Sequence, residues 1–141
     1  MKPAFLLILC VLAVSVIADK DLGGPGQPDK SKDTIQSAIE MIKGATQFSK
    51  SDQQSALDSL FKGSRLVDSF TQIVNGQNKI YLIKTSRGVE CFKIYKDRAG
   101  NRSLINYTRG DDEHSVYEAC RSSQDLPSID QMISDALSND S

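Results

Sequence analysis

Short runs rich in β-branched and aromatic residues fill the middle of the chain, and the turn signals between them constrain the fold most. Asn75-Gly76 separates the first two runs, and Asn-Gly in that position is the strongest short signal for a β-hairpin. Arg87-Gly88 and the polar stretch 97–102 supply the next two turns. The predicted strands are residues 66–74, 79–85, 89–96, 104–108 and 114–120. This order predicts an antiparallel meander.

Apolar residues at helical spacing precede and follow the meander. They predict helices over residues 33–48 and 52–62, with a break near Phe48, and a short amphipathic helix after Ser128. We expect this last helix to dock on its own domain. The sequence therefore predicts an α+β fold in which a helix packs across an antiparallel sheet of four to five strands, with an extra C-terminal helix.

The N-terminus has the pattern of a secretory signal peptide. Lys2 is followed by an unbroken apolar run over residues 4–14, and small residues lead to a cleavage site after Ala18. A membrane anchor is the alternative, but a span needs about 20 apolar residues. We therefore expect a secreted, extracellular protein that is not held in a membrane. The predicted segments are 1–18 (signal peptide), 19–30 (flexible arm), 31–121 (folded domain) and 122–141 (tail with a short helix).

Cysteine and asparagine patterns fit an oxidising, extracellular location. Removal of Cys10 with the signal peptide leaves Cys91 and Cys120, which we expect to form a disulfide. Two buried free thiols are the alternative. Asn101-Arg102-Ser103 and Asn106-Tyr107-Thr108 match the acceptor pattern for N-glycosylation, so we expect glycans at Asn101 and Asn106.

Patterns for catalysis, metal binding and nucleic-acid binding are missing. The sequence has a single histidine, His114, and lacks the Gly-x-Ser-x-Gly, His-Glu-x-x-His and Cys-x-x-Cys motifs. Removal of Lys2 leaves 16 basic and 18 acidic residues, and the basic ones are scattered. We therefore expect no enzyme, no cofactor, no metal and no nucleic-acid partner.

Three segments of the chain together form a recognisable pattern: Leu22-Gly23-Gly24-Pro25, residues 72–76 (Gln-Ile-Val-Asn-Gly) and residues 91–95 (Cys-Phe-Lys-Ile-Tyr). They resemble, in turn, the N-terminal arm, the Gln-x-Val-x-Gly motif and the cysteine-bearing strand of the cystatins, which are secreted inhibitors of papain-like cysteine proteases. The resemblance covers about residues 22–96. The single expected disulfide resembles that of the secreted insect members.

The resemblance implies a monomeric, reversible inhibitor that blocks the active-site cleft of a cathepsin-type protease. In the family, the arm, the first hairpin and the second hairpin enter the cleft as a wedge, without catalytic residues. The implied protease-binding residues are Leu22, Gly23, Gly24, Gln72, Ile73, Val74, Asn75 and Gly76.

Three features depart from the family pattern. The chain has no tryptophan, so the second hairpin lacks the usual Pro-Trp pair. The stretch from Tyr95 to Cys120 is longer than expected, and the C-terminal helix is additional. The alternative is a cystatin-fold protein without inhibitory power that acts as an extracellular binding or carrier module. A secreted enzyme is the third possibility, and the missing catalytic patterns argue against it.

Overall fold

The computed structural model describes residues 28–122 and 128–138. The predicted signal peptide and all but the last three residues of the predicted arm lie outside this part of the chain.

Five strands form one antiparallel sheet, and they follow one another across it in chain order, β1 to β5. The elements are β1 (Asp29–Lys30), α1 (Ile35–Lys43), a 3₁₀ turn (Thr46–Phe48), α2 (Ser51–Phe61), β2 (Arg65–Val74), β3 (Gly76–Thr85), β4 (Gly88–Lys96), β5 (Arg102–Gly110), α3 (Glu113–Arg121) and α4 (Ile129–Leu137). The predicted α+β fold, with a helical layer across an antiparallel sheet, is confirmed.

The first predicted helix is divided. Thr34 caps α1, because its side chain accepts a hydrogen bond from the Ser37 N–H at 3.1 Å and its own N–H donates to the Ser37 hydroxyl. The helix ends at Lys43, and a 3₁₀ turn follows. The Gln54 side chain donates to the carbonyl oxygens of Lys43 and Phe48, so the break between α1 and α2 is held by hydrogen bonds.

The main core lies between one face of the sheet and the helices α1, α2 and α4. Its largest buried side chains include Ile42, Phe48, Leu57, Tyr81, Ile83, Phe92, Ile94, Leu104 and Met132. Met132 and Ala136 bring α4 into this core, which confirms that the C-terminal helix docks on its own domain. Arg87 donates to the Ala136 carbonyl oxygen at 2.9 Å and pairs with the buried Glu90, so the end of α4 is also tied to the turn before β4.

The prediction that residues 114–120 form a strand is wrong, because this segment lies in the helix α3. The Asp112 carboxylate accepts a hydrogen bond from the Ser115 N–H at 2.8 Å and caps the helix. Val116 and Cys120, four residues apart, then pack together on the face of the sheet opposite the main core, which we call the outer face. The sheet is therefore covered on both faces.

The meander brings two connections to the same end of the sheet. The β2–β3 turn at Asn75 and the β4–β5 loop at residues 97–101 lie side by side, since Gln77 pairs with Lys96. The β3–β4 turn, residues 86–87, lies at the opposite end. We call the end that carries Asn75 and residues 97–101 the hairpin edge.

Within the described residues, no helix has the length and apolar character required to cross a membrane.

Candidate functional site

The first hairpin turns at a single residue, Asn75. Val74 and Gly76 face each other across the ladder, and Gly76 has a φ of +113°, a conformation that favours glycine. A Cβ at Gly76 would lie 2.6 Å from the Lys96 carbonyl oxygen and 2.9 Å from the Tyr95 hydroxyl. Glycine therefore permits both the tight turn and the close approach of β4.

Tyr95 holds the tip of this hairpin. Its hydroxyl donates a hydrogen bond to the Asn75 carbonyl oxygen, and its ring lies against Gly76. The phenol thus connects β4 to the turn of the neighbouring hairpin. A turn fixed in this way loses little conformational entropy when it docks on a partner.

Ile73 is the large apolar side chain that this hairpin presents to solvent. It is 62% exposed and is the one exposed large hydrophobic residue in the described part of the chain. Burial of an isoleucine side chain contributes about 1.5–3 kcal/mol. Ile73, with the half-buried Val74 beside it, therefore gives the hairpin edge an apolar contact that the domain itself does not use.

Gln72 does not occupy the position expected of a residue that contacts a partner. Its side chain is 8% exposed, and its Oε1 accepts a hydrogen bond from Nδ2 of Asn78 at 2.8 Å. This pair links β2 to β3 at the base of the hairpin. The Gln72 side chain therefore supports the hairpin from within the fold, and its predicted contact with a protease stays a prediction.

The β4–β5 loop at residues 97–101, which we call the second loop, has a base that is fixed by hydrogen bonds. The Asp97 carboxylate accepts from the Asn101 N–H at 2.9 Å and from its Nδ2 at 3.1 Å, and these bonds lower the pKa of Asp97. Arg98, Ala99 and Gly100 form the exposed tip. This tip lacks a large aromatic side chain, and the nearest one, Tyr95, is engaged by the first hairpin.

An open groove of about 410 Å³ separates the two hairpins. Its lining residues are Ile73, Val74, Gly76, Gln77, Lys96, Asp97 and Arg98. The wall from the first hairpin is mostly apolar, with Gln77 as its polar member, whereas the wall from the second hairpin is charged. The predicted residues Ile73, Val74 and Gly76 come together here, next to four residues that the sequence did not single out: Gln77, Lys96, Asp97 and Arg98.

The strand β1 joins the sheet close to the first hairpin. Asp29 pairs with Thr71 and Lys30 with Phe70, so the N-terminal end of β1 faces the hairpin edge. Leu22, Gly23 and Gly24 lie outside the described residues, and their predicted contact with a protease stays a prediction.

Cys91 of β4 and Cys120 of α3 are buried side by side on the outer face of the sheet. The structure contains them as free thiols, not as the expected disulfide. Burial and a hydrogen bond with the Cys120 thiol raise the pKa of Cys91. The two residues are thus neighbours in the fold, and their oxidation stays a prediction.

Asn106 lies in surroundings that disfavour the glycan predicted for it, and its glycosylation stays a prediction. Its side chain is 2% exposed, and its Nδ2, the atom that would carry the glycan, donates to the carbonyl oxygens of Ala119, Cys120 and Ser122. These bonds cap the C-terminal end of α3, so the folded domain has no room for a glycan there. Asn101 is exposed in the second loop, and its glycosylation stays a prediction.

Metal-binding groups do not converge in the part of the chain that the structure describes. Among residues 28–122 and 128–138, no cluster of three or more histidine, cysteine, aspartate or glutamate side chains is placed to hold a metal ion. The residues that line the groove can therefore offer apolar contacts and charged groups to a partner.

Comparison with known proteins gives one informative similarity. The chain is 27% identical over 99 residues to Cystatin-A2 of Dictyostelium discoideum, and the match covers 68% of this chain and 97% of that protein. No family model matches the chain. This distant relative suggests the cystatin family, the same family that the motif at residues 72–76 resembles.

Sequence reasoning missed that Tyr95 holds the tip of the first hairpin and that Lys96 and Arg98 line the groove. In the sequence, residues 97–102 have the composition of an ordinary solvated loop. The topology could have placed this loop beside the first hairpin, because every second connection of a meander lies at the same end of the sheet.

Proposed function

We propose that the chain is a secreted member of the cystatin family that reversibly inhibits papain-like cysteine proteases of the cathepsin type. The observation that carries this proposal is the hairpin edge, where the exposed Ile73 lies two residues before a turn that is fixed by Gly76 and Tyr95. The similarity to Cystatin-A2 supports the same family.

The proposed mechanism is occlusion. The first hairpin and the loop at residues 97–101 enter the cleft together, and Ile73 and Val74 bury apolar surface against its walls. The arm containing Leu22, Gly23 and Gly24 would occupy the adjoining part of the cleft, in keeping with the direction of β1. Inhibition requires no bond to the catalytic thiol, so it is reversible.

A titration of a papain-like protease with the secreted protein tests this function. We expect competitive inhibition that is reversed by dilution and weakened at least tenfold by Ile73→Asp, because a carboxylate there would be desolvated in the cleft. Val67→Asp is not a suitable control because Val67 packs in the domain. Lys84→Asp is suitable because Lys84 is exposed at the far end of β3, and it should leave inhibition unchanged.

A non-inhibitory extracellular binding protein is the second candidate. The second loop favours it, because the exposed tip has no aromatic anchor and the loop contains the glycosylation motif at Asn101. The absence of inhibition in the titration, with correctly folded protein, would select this candidate.

A further inference from the structure

The charged wall of the groove is available to a partner. Within the described residues, no hydrogen bond or ion pair engages the side chain of Lys96 or Arg98. Asp97, between them, is held by Asn101 at the base of the loop. The groove therefore presents two basic groups and one carboxylate, with an excess of positive charge.

These basic groups face the apolar wall formed by Ile73 and Val74. A surface that fills the groove must match both walls, with apolar groups against the first hairpin and negative charge against the second. Lys96 and Arg98 therefore lie where charge complementarity can select between partners of similar shape.

We infer that this groove selects proteases whose cleft rim carries carboxylates next to the second loop. The inference rests on the proposed function and specifies its partner. Exposed charges of this kind act mainly on the association rate, by steering the encounter, and their effect falls with ionic strength. The basic pair supplies selectivity on a loop that offers no aromatic anchor.

Two double variants of the secreted protein test the inference. Lys96→Glu/Arg98→Glu reverses the charges of the groove. Arg65→Glu/Lys84→Glu makes the same charge change on two exposed residues that pair across β2 and β3, away from the hairpin edge. Association rate constants are measured by stopped-flow inhibition for two papain-like proteases, one with an acidic rim and one with a basic rim beside the second loop, at low and moderate salt.

We expect the unmodified protein to associate about tenfold faster with the acidic-rim protease at low salt, with a smaller difference at moderate salt. Lys96→Glu/Arg98→Glu should remove or reverse this preference, whereas Arg65→Glu/Lys84→Glu should preserve it. Inhibition of both proteases without a preference, or a preference that survives the reversal at residues 96 and 98, overturns the inference and leaves the proposed function intact. Failure to inhibit either protease overturns the proposed function and the inference with it.

Discussion

Tyr95 donates its hydroxyl hydrogen bond to the carbonyl oxygen of Asn75, so the strand that leads into the second loop also fixes the tip of the first hairpin. Tyr95→Phe removes this bond, whose net worth is about 0.5–1.5 kcal/mol. We expect the inhibition constant to rise about two- to tenfold. Tyr117→Phe, on α3, is the matched control and should inhibit like the unmodified protein. Equal inhibition constants for all three proteins would show that the hydrogen bond between Tyr95 and Asn75 does not contribute to binding.

Gly76→Ala tests the close approach of β4. Both the positive φ and the contact with the Lys96 carbonyl oxygen oppose a Cβ, so we expect a loss of about 1–3 kcal/mol in the free energy of unfolding and a large loss of inhibition. Gly63→Ala is the control, since Gly63 also has a positive φ but no atom within 4 Å of the added Cβ. Thermal unfolding should show a larger decrease in Tm for Gly76→Ala. The same decrease in both variants would mean that the contact is unimportant.

The hairpins could be predicted from the sequence because turn chemistry is local. Asn75-Gly76 and Arg87-Gly88 mark turns in the sequence and in the structure. The helix α3 could not be predicted in this way. Residues 114–120 include valine and tyrosine, which favour strands, and helix formation depends on the Asp112 cap and on packing against the sheet.

The candidate site could be predicted only in part. The motif at residues 72–76 located the first hairpin, but the burial of Gln72 depends on its partner Asn78 on the next strand. The glycosylation motif at Asn106 illustrates the same limit, since three residues do not reveal whether the asparagine caps a helix. Side-chain burial is a tertiary property, so the surroundings of Gln72 and Asn106 could not be inferred from the two motifs.

Oxidation of Cys91 and Cys120 should connect α3 covalently to β4. A disulfide would close a loop of 30 residues, for which chain entropy predicts about 3.5 kcal/mol of stabilisation. We expect a reducing agent to lower the Tm of the secreted protein and to have no effect on the Cys91→Ala/Cys120→Ala variant. Thiol labelling under denaturing, non-reducing conditions provides the direct check, and two labelled cysteines would contradict the disulfide.

The two glycosylation motifs should behave differently. Peptide mass spectrometry of protein secreted from a glycosylating host should find a glycan at Asn101 and none at Asn106. Asn106→Gln should lower the free energy of unfolding by about 1–3 kcal/mol, because it disturbs the cap of α3. Asn101→Gln should leave stability nearly unchanged and strengthen inhibition, since a hydrated glycan on the second loop would oppose docking. A glycan at Asn106 of the folded protein would refute the assignment of that residue as a cap.

Asp33 should make stability depend on acid pH. Burial raises its pKa, but the Ser31 hydroxyl and the Lys79 ammonium, which lies 3.2 Å away, outweigh burial and lower it below 3.8. A pKa lowered by folding contributes stability that is present above about pH 4 and is lost as the pH falls through the folded value. The stability difference between the protein and Asp33→Asn should therefore be constant near neutral pH and shrink below about pH 4. A difference independent of pH would mean that the Asp33 charge is not stabilising.

Hydrogen exchange can show whether the hairpin edge enters a protease cleft, when it is measured on a complex with a papain-like protease whose catalytic cysteine is replaced by serine. We expect binding to slow amide exchange at residues 72–77 and 96–98 and to leave the opposite turn, residues 86–88, unchanged. Protection confined to the opposite turn, or no protection at a protease concentration well above that of the chain, would contradict it.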